Sequence, residues 1–466
     1  MIGEASGNRQ RGYLVAQPND DTNFSRRLLL GGGAAAVGVG LAGIAGGTAA
    51  AAPSEVSSQA SGRASVRGAV SFLQGVTDAY RPSGLRLAQS YMDGSGLGDI
   101  GFIYDNALTI CALIASGDLA RARAIGDALL WAQGHDETNR DGRLRQAYHV
   151  KTLDAGATAD FGWQYGLVGT AVGDMAWSGI ALAQLARRVP RGDYLDGALR
   201  IARWIQDNTR STTGLGGYTF GATAGLEEHK STEHNIDVYG FFRLLARLTG
   251  DDRWNSRAQH AWRFIEAVWN EDDGFFWTGS DDGSAINKNP KQLPLDVQTW
   301  FWLSVGKGRF AECLDWASTN LRTTDSPLRI NSALTGNQTF TGAAFASGTV
   351  RADVTARVGG TEEWRPLPDH SGVWFEGTGQ LALALRKRDR SGDLAASDAL
   401  LATLRSSQAA LGADQTYGGK RIEGGIQAAT SPIDTGFGFA YHPHLHTAAT
   451  SWYVMAATGF NPYRFS

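Results

Sequence analysis

Past residue 65 the chain alternates two kinds of helical segment, and few folds can accommodate that alternation. Six segments are apolar nearly all round: 104–115, 173–186, 235–248, 295–305, 373–385 and 446–457. Each follows a segment that is apolar on one face and charged on the other: 65–80, 118–133, 193–208, 252–269, 309–321 and 393–411. A helix that is apolar all round must lie inside, and a one-faced helix can lie outside. The turns from inner to outer segments are short, reading ASGD at 115–118, PRGD at 190–193, LTGD at 248–251, GKGR at 306–309 and RSGD at 390–393. Gly accepts the left-handed cap of one helix and Asp bonds the free N–H groups of the next, so Asp118, Asp193, Asp251 and Asp393 read as caps. The connections from outer to inner segments run to roughly 20–50 residues, far beyond ordinary loops. Six inner and six outer helices in strict alternation describe an all-α (α/α)6 toroid. Its long loops gather at one end, where function would be built. Those loops have room for short strands, with RLRQAYHVKTL at 143–153 and TVRADVTARV at 349–358 as candidates.

The N-terminal stretch reads as an address. Arg26–Arg27 precede a Gly- and Ala-rich, moderately apolar run, and small residues near Ala50–Ala52 suit cleavage. This is the pattern of a bacterial twin-arginine export signal. An uncleaved anchor is the competing reading, but the run is Gly-rich and weakly hydrophobic for a span. The expected layout is therefore a leader at 1–52, a linker at 53–64 and one domain at 65–466. The expected location is periplasmic or extracellular, with no stable membrane span after cleavage.

Composition narrows the function. A net charge of −3 gives no basic footprint for nucleic acid. Cys111 and Cys313 both sit in apolar helical settings and read as buried thiols rather than a disulfide. The only dense histidine cluster is His442, His444 and His446, and no metal-binding spacing or nucleotide motif occurs. No metal and no cofactor are expected, and oligomeric state is not legible.

The starts of the inner segments carry acids. Aligned by first turns they read YDNA, GDMA, IDVY, LDVQ, FEGT and HTAA, which matches Asp105, Asp174, Asp237, Asp296 and Glu376. Glu233 and His234 stand one turn before Asp237. An acid in a first turn also caps N–H groups and opposes the dipole, and Asp174 reads as the plainest cap. Yet five carboxylates converging on one rim would repel unless a ligand or a hydrated cavity needs them. Around them stand donors, His234, Asn235, Gln298, His444 and His446, and aromatic platforms, Tyr104, Trp163, Trp277 and Trp374. Carboxylates, donors and flat apolar faces together suit a neutral carbohydrate.

At the level of architecture, over roughly residues 60–466, this inner/outer helical repeat with acids at the inner starts resembles the six-hairpin glycosidase superfamily. The resemblance implies hydrolysis of glycosidic bonds, commonly with inversion. The same fold also serves polysaccharide lyases and sugar epimerases, so fold alone is an analogy. A glycosidase needs a protonated acid and a second carboxylate. The apolar setting of Glu376 in GVWFEGTG suits the acid. The polar setting of Glu233 in STEHN suits an ionised base. Asp105, Asp296 and Asp237 are the reserves. Besides a sugar epimerase using a histidine pair such as His234 and His446, two alternatives stay open. One is a lyase acting on a uronic-acid polymer, which the acidic rim disfavours. The other is a non-catalytic carbohydrate-binding protein.

Overall fold

The computed structural model describes residues 55–136, 139–153, 169–189, 192–222, 225–350, 368–437 and 439–465. The expected leader and the 349–358 strand candidate, past residue 350, lie outside them. Residues 58–466 form one compact unit. Among the described residues no helix is long and apolar enough to cross a membrane.

The helices follow the alternation read from the sequence. The outer ones are α1 (Glu55–Asp78), α3 (Leu119–His135), α5 (Gly192–Thr209), α7 (Arg253–Ala267), α9 (Glu312–Asn320) and α11 (Asp393–Leu411). The inner ones are α2 (Ile103–Ser116), α4 (Val172–Arg188), α6 (Thr232–Thr249), α8 (Leu295–Ser304), α10 (Phe375–Arg388) and α12 (Thr447–Thr458). The inner helices touch in chain order, α2 on α4, α4 on α6, α6 on α8, α8 on α10 and α10 on α12, and α12 returns to α2. That closure makes the toroid. Each inner helix from α2 to α10 also packs on the outer helix that follows it, because the intervening turn is too short to do otherwise. The turn glycines Gly117, Gly250, Gly306 and Gly392 all have positive φ. Asp118 caps α3, accepting from Arg121 N at 3.1 Å, whereas Asp251 stands one residue before the α7 N-cap, Asp252, and accepts from Arg253 N at 3.0 Å. Asp393 differs. It turns back to Arg388 at 2.7 Å, binding α11 to the end of α10.

Inside the ring the inner helices approach closely. Gly179 of α4 faces Phe241 of α6, and a Cβ there would lie 2.2 Å from the ring. Gly179→Ala should therefore destabilise the protein by about 1–3 kcal/mol in denaturant unfolding, overpacking outweighing the helix-propensity gain of about 1 kcal/mol.

The entrances to the inner helices share a device that the sequence reading did not find. The residue just before each inner helix pairs, antiparallel, with the loop leaving the next outer helix around the ring. The pairs are Phe102 with Ala147, Ala171 with Gly221, Ser231 with Gly279, Pro294 with Ala346, Trp374 with Ala429, and His446 with Tyr91. The pair at Ala147 belongs to a strand, Ala147–His149, inside the expected 143–153 stretch. Four residues into each helix, a side chain grips the loop after the preceding outer helix. Asn106 bonds both backbone groups of Ala88, Asn235 both of Tyr218 and Gln298 both of Phe276. Thr378 accepts from Ala343 N, Thr450 from Ile426 N, and the Met175 sulfur from Leu144 N. This collar satisfies buried backbone groups that would otherwise be costly. It also fixes the azimuth of each inner first turn.

Candidate active site

The collar settles the register of the acids and corrects one alignment. α6 begins at Thr232, with Ser231 as its N-cap accepting from His234 N. Counted from the collar residues, Glu233 is two positions in, as are Asp296 in α8 and Glu376 in α10. Glu233 is thus the counterpart of Asp296 and Glu376, while Asp105 and Asp174 stand three positions in from Phe102 and Ala171. Asp237 lies one turn deeper, fully buried, accepting from Tyr463 OH at 2.6 Å. Of these acids only Asp296 takes a first-turn bond, from Val297 N at 2.7 Å, so capping does not account for the set.

The inner starts open into a cavity of about 1110 Å³. Asp105, Asp174, Glu233 and Asp296 line it, with Tyr104, His234 and His446. Asp174, read from sequence as the plainest cap, is a wall residue. Burial lifts its carboxyl to about 7, against a bond from Gln146 and with Asp105 adding to the rise. Burial also lifts Asp296 to about 7.

Glu376 sits one layer in, 1% exposed. Its Oε1 accepts from Tyr104 OH at 2.5 Å and from Gln380 Nε2 at 3.2 Å. Tyr104 OH in turn accepts from Trp452 Nε1 at 3.1 Å. Its Oε2 has no hydrogen-bond partner among the described residues and stands 3.8 Å from His446 Nδ1. His446 is fixed by Asp105, 3.2 Å from Nε2, and by the ring of Tyr91 stacked on it at 4.2 Å. Burial raises the Glu376 carboxyl to about 7. His446 and the Tyr104 bond restrain the rise, while Asp105 and Asp296 add to it.

Glu233 has the opposite surroundings. Burial pushes its carboxyl well above the usual range, and Asp296, Asp237, Asp174 and Glu376 push it further. The polar neighbours expected from STEHN do not serve it. His234 turns to Phe220, with ring centroids 4.5 Å apart, and burial depresses its imidazole to about 3. Asn235 is occupied by the collar. Both carboxyls are raised by burial, but Glu376 has hydrogen-bond donors and Glu233 has acids around it.

Several expected ligands lie elsewhere. Asn235 and Gln298 are fully buried collar residues, outside the cavity lining. Trp277 packs edge-on against Phe275 at 4.8 Å, away from the cavity. Trp374, 1% exposed, backs Phe345 and Tyr441 instead of facing a ligand. Trp163 lies outside the described residues. Tyr104, His234, His444 and His446 do line the cavity.

One wall was missed as a unit. Phe345, Phe437, Phe439 and Tyr441 line the cavity, with Phe345 5.8–6.1 Å from each of the other three. Phe437 and Phe439 stay more than a third exposed at the mouth. The alternation of aromatics in GFGFAY is the sequence signal for that wall. The one lysine or arginine in the described lining, Lys230, spends its ammonium on Thr213 O and Gly283 O at 2.7 and 2.6 Å. Among the described residues no cluster fit for a metal ion occurs, and both cysteines are free and buried.

No protein-family model matches the sequence, and no curated protein matches it. Solved structures do match in fold. A glycosidase variant in complex with glucose is 12% identical, with a TM-score of 0.56, covering 86% of this chain and 97% of its own. A wild-type glycosidase is 12% identical at a TM-score of 0.54, covering 87% and 98%. A D-mannose isomerase is 9% identical at a TM-score of 0.55, covering 88% and 98%. The chain therefore has the (α/α)6 fold that the sequence repeat describes, a fold it shares with these glycosidases and this isomerase.

Proposed function

We propose that this chain is an exported glycoside hydrolase that cleaves an oligo- or polysaccharide with inversion. Glu233 is the general acid and Glu376 the general base. The observation that carries this reading is a pair of carboxyls in opposite surroundings, Glu233 in the cavity lining among acids with no donor among the described residues, and Glu376 one layer behind the lining, held by Tyr104 and Gln380. Pairs whose environments push their proton affinities apart are how acid and base are assigned. In the step, Glu233 gives its proton to the leaving glycosidic oxygen as the C–O bond breaks. Glu376 takes a proton from the water that bonds to the anomeric carbon. Oε2, buried one layer behind the lining and without a partner among the described residues, is the atom that takes that proton. The two glutamates stand on α6 and α10, which are not neighbours in the ring, and that spacing supports a water between sugar and base. The aromatic wall offers faces on which sugar rings stack, and the glycosidases with this fold support the reaction class. The twin arginine supports export.

The same assignment fixes the pH response. Activity requires Glu376 ionised and Glu233 protonated. It should rise as pH passes through about 7, where Glu376 loses its proton, and fall at higher pH as Glu233 loses its own. The measurement is the pH dependence of kcat/KM. A profile that is already flat at pH 5 would remove Glu376 as the base.

The deciding experiment is a screen of the purified protein on a polysaccharide panel, with products separated by chromatography and the first-formed anomer read by NMR. Unsaturated, ultraviolet-absorbing products would select a lyase, and binding without product a non-catalytic role. The second reading is a sugar isomerase or epimerase. His234 and His446, both in the cavity, favour it, and conversion of mannose to a ketose would select it.

A further inference from the structure

Beneath Glu233 lies a polar pair that the chemistry above does not use. Asp237 follows Glu233 by four residues on α6, so the two share one helix face. Asp237 is fully buried. Its Oδ1 accepts from Tyr463 OH at 2.6 Å, and its Oδ2 has no partner among the described residues. Tyr463 reaches this position from the far end of the chain, and several side chains hold it there. Gln184 of α4 donates to Pro462 O at 2.7 Å and Arg464 O at 2.8 Å, and Asn461 donates to Leu303 O at 3.0 Å. The Tyr463 ring lies 5.0 Å from that of Trp177. It rests on Gly240, where a Cβ would come within 2.4 Å of it. A tail held by two inner helices, with a glycine making room for its ring, is more than incidental packing. Its hydroxyl is delivered to one carboxyl oxygen.

We infer that Asp237 and Tyr463 form a positioning device under Glu233, in which the tail tyrosine stabilises charge on the lower carboxyl and that charge sets the pH at which the upper one gives up its proton. The proposal rests on Glu233 being the acid. A negative charge one turn below disfavours a second on Glu233, and the hydroxyl bond favours that charge on Asp237. The other ionisable groups facing Glu233 are Asp174 of α4, Asp296 of α8 and Glu376 of α10. Burial pushes the Asp237 carboxyl itself well above the usual range, the Tyr463 bond opposes that rise, and Asp296 and Asp174 add to it. All but Tyr463 are acids, and they act in the same sense. The contribution of Asp237 is separable because, of these groups, it is the one bonded by Tyr463.

The test compares pH profiles of kcat for the unmodified protein, Asp237→Asn and Tyr463→Phe. Asp237→Asn should move the alkaline limb down by about one to two pH units, as a like charge roughly 6 Å away in a partly buried site would. Tyr463→Phe should move it in the same direction by less, with KM and the acid limb unchanged. An alkaline limb that stays put in both variants overturns the proposal, as does a shift that appears equally in both limbs. Should Asp237→Asn not fold, Tyr463→Phe decides alone. A readout independent of turnover is infrared difference titration of the Glu233 carboxyl, assigned by its loss in Glu233→Gln. A Glu233→Gln enzyme that stays active sinks the acid assignment. An inactive Glu233→Gln with unmoved profiles in the other two sinks only this device.

Discussion

Glu233→Gln is expected to lower kcat by about 10²–10⁴-fold on any glycoside the protein cleaves, and Glu376→Gln by a similar factor. Neither change removes much packing, since Gln has nearly the volume of Glu, and both relieve a buried acid. Burial and neighbouring acids raise both carboxyls. A raised carboxyl costs stability as pH climbs past the unfolded-state value, because the folded state holds protons that the unfolded state releases. Both variants should therefore be at least as stable as the parent in denaturant at pH 8, and circular dichroism should be unchanged. The two should differ in rescue. An activated glycoside, whose leaving group needs no proton, should recover much of the loss in Glu233→Gln and little in Glu376→Gln. Rescue in the opposite order would restore the assignment suggested by local sequence, with Glu376 as the acid. Near-normal turnover in either variant would remove that residue from the chemistry.

Asn235→Ala should have the largest effect on stability, about 3–5 kcal/mol in denaturant unfolding. Asn235 is fully buried, accepts from Tyr218 N at 2.8 Å, and donates to Tyr218 O at 3.0 Å and Ser231 O at 2.8 Å. Truncation removes all three bonds. It leaves buried backbone groups unsatisfied, at about 1–3 kcal/mol for each that water cannot reach. The midpoint should fall with little change in the slope of unfolding free energy against denaturant. This also separates the collar from the site. A residue that binds sugar would raise KM and leave stability nearly untouched, whereas Asn235 should do the reverse.

The site was half legible. Glu233, Glu376, Asp105, Asp296, Tyr104, His234 and His446 were nameable because acids, aromatics and histidines recur where apolar segments begin. Their ranking was not. The polar stretch KSTEHN reads as loop before an apolar helix, so the start of α6 was placed at Asn235 instead of Thr232 and Asp237 was aligned with the rim acids. An inner helix whose first turn faces a cavity has no apolar signal there, and hydrophobicity then dates its start one turn late. Asn235 and Gln298 looked like ligand donors because an amide near a rim acid has the same sequence signature whether it holds a sugar or a backbone. Asp174 looked like a cap for the same reason.

The sequence by itself determined the ring. Alternation of all-round and one-faced apolar segments, with Gly and Asp at the short turns, is written locally. Each segment's periodicity states how much of it must be buried, and six such hairpins have to close on one another to bury it. What only the tertiary structure decided is which groups meet inside that ring. Tyr463 finds Asp237 across 226 residues and Tyr104 finds Glu376 across 272. Whether a carboxyl there meets donors or other acids depends on the azimuth and depth of helices fixed by the collar. A carboxyl's proton affinity is set by what surrounds it within a few ångströms, and those neighbours are distant in the chain.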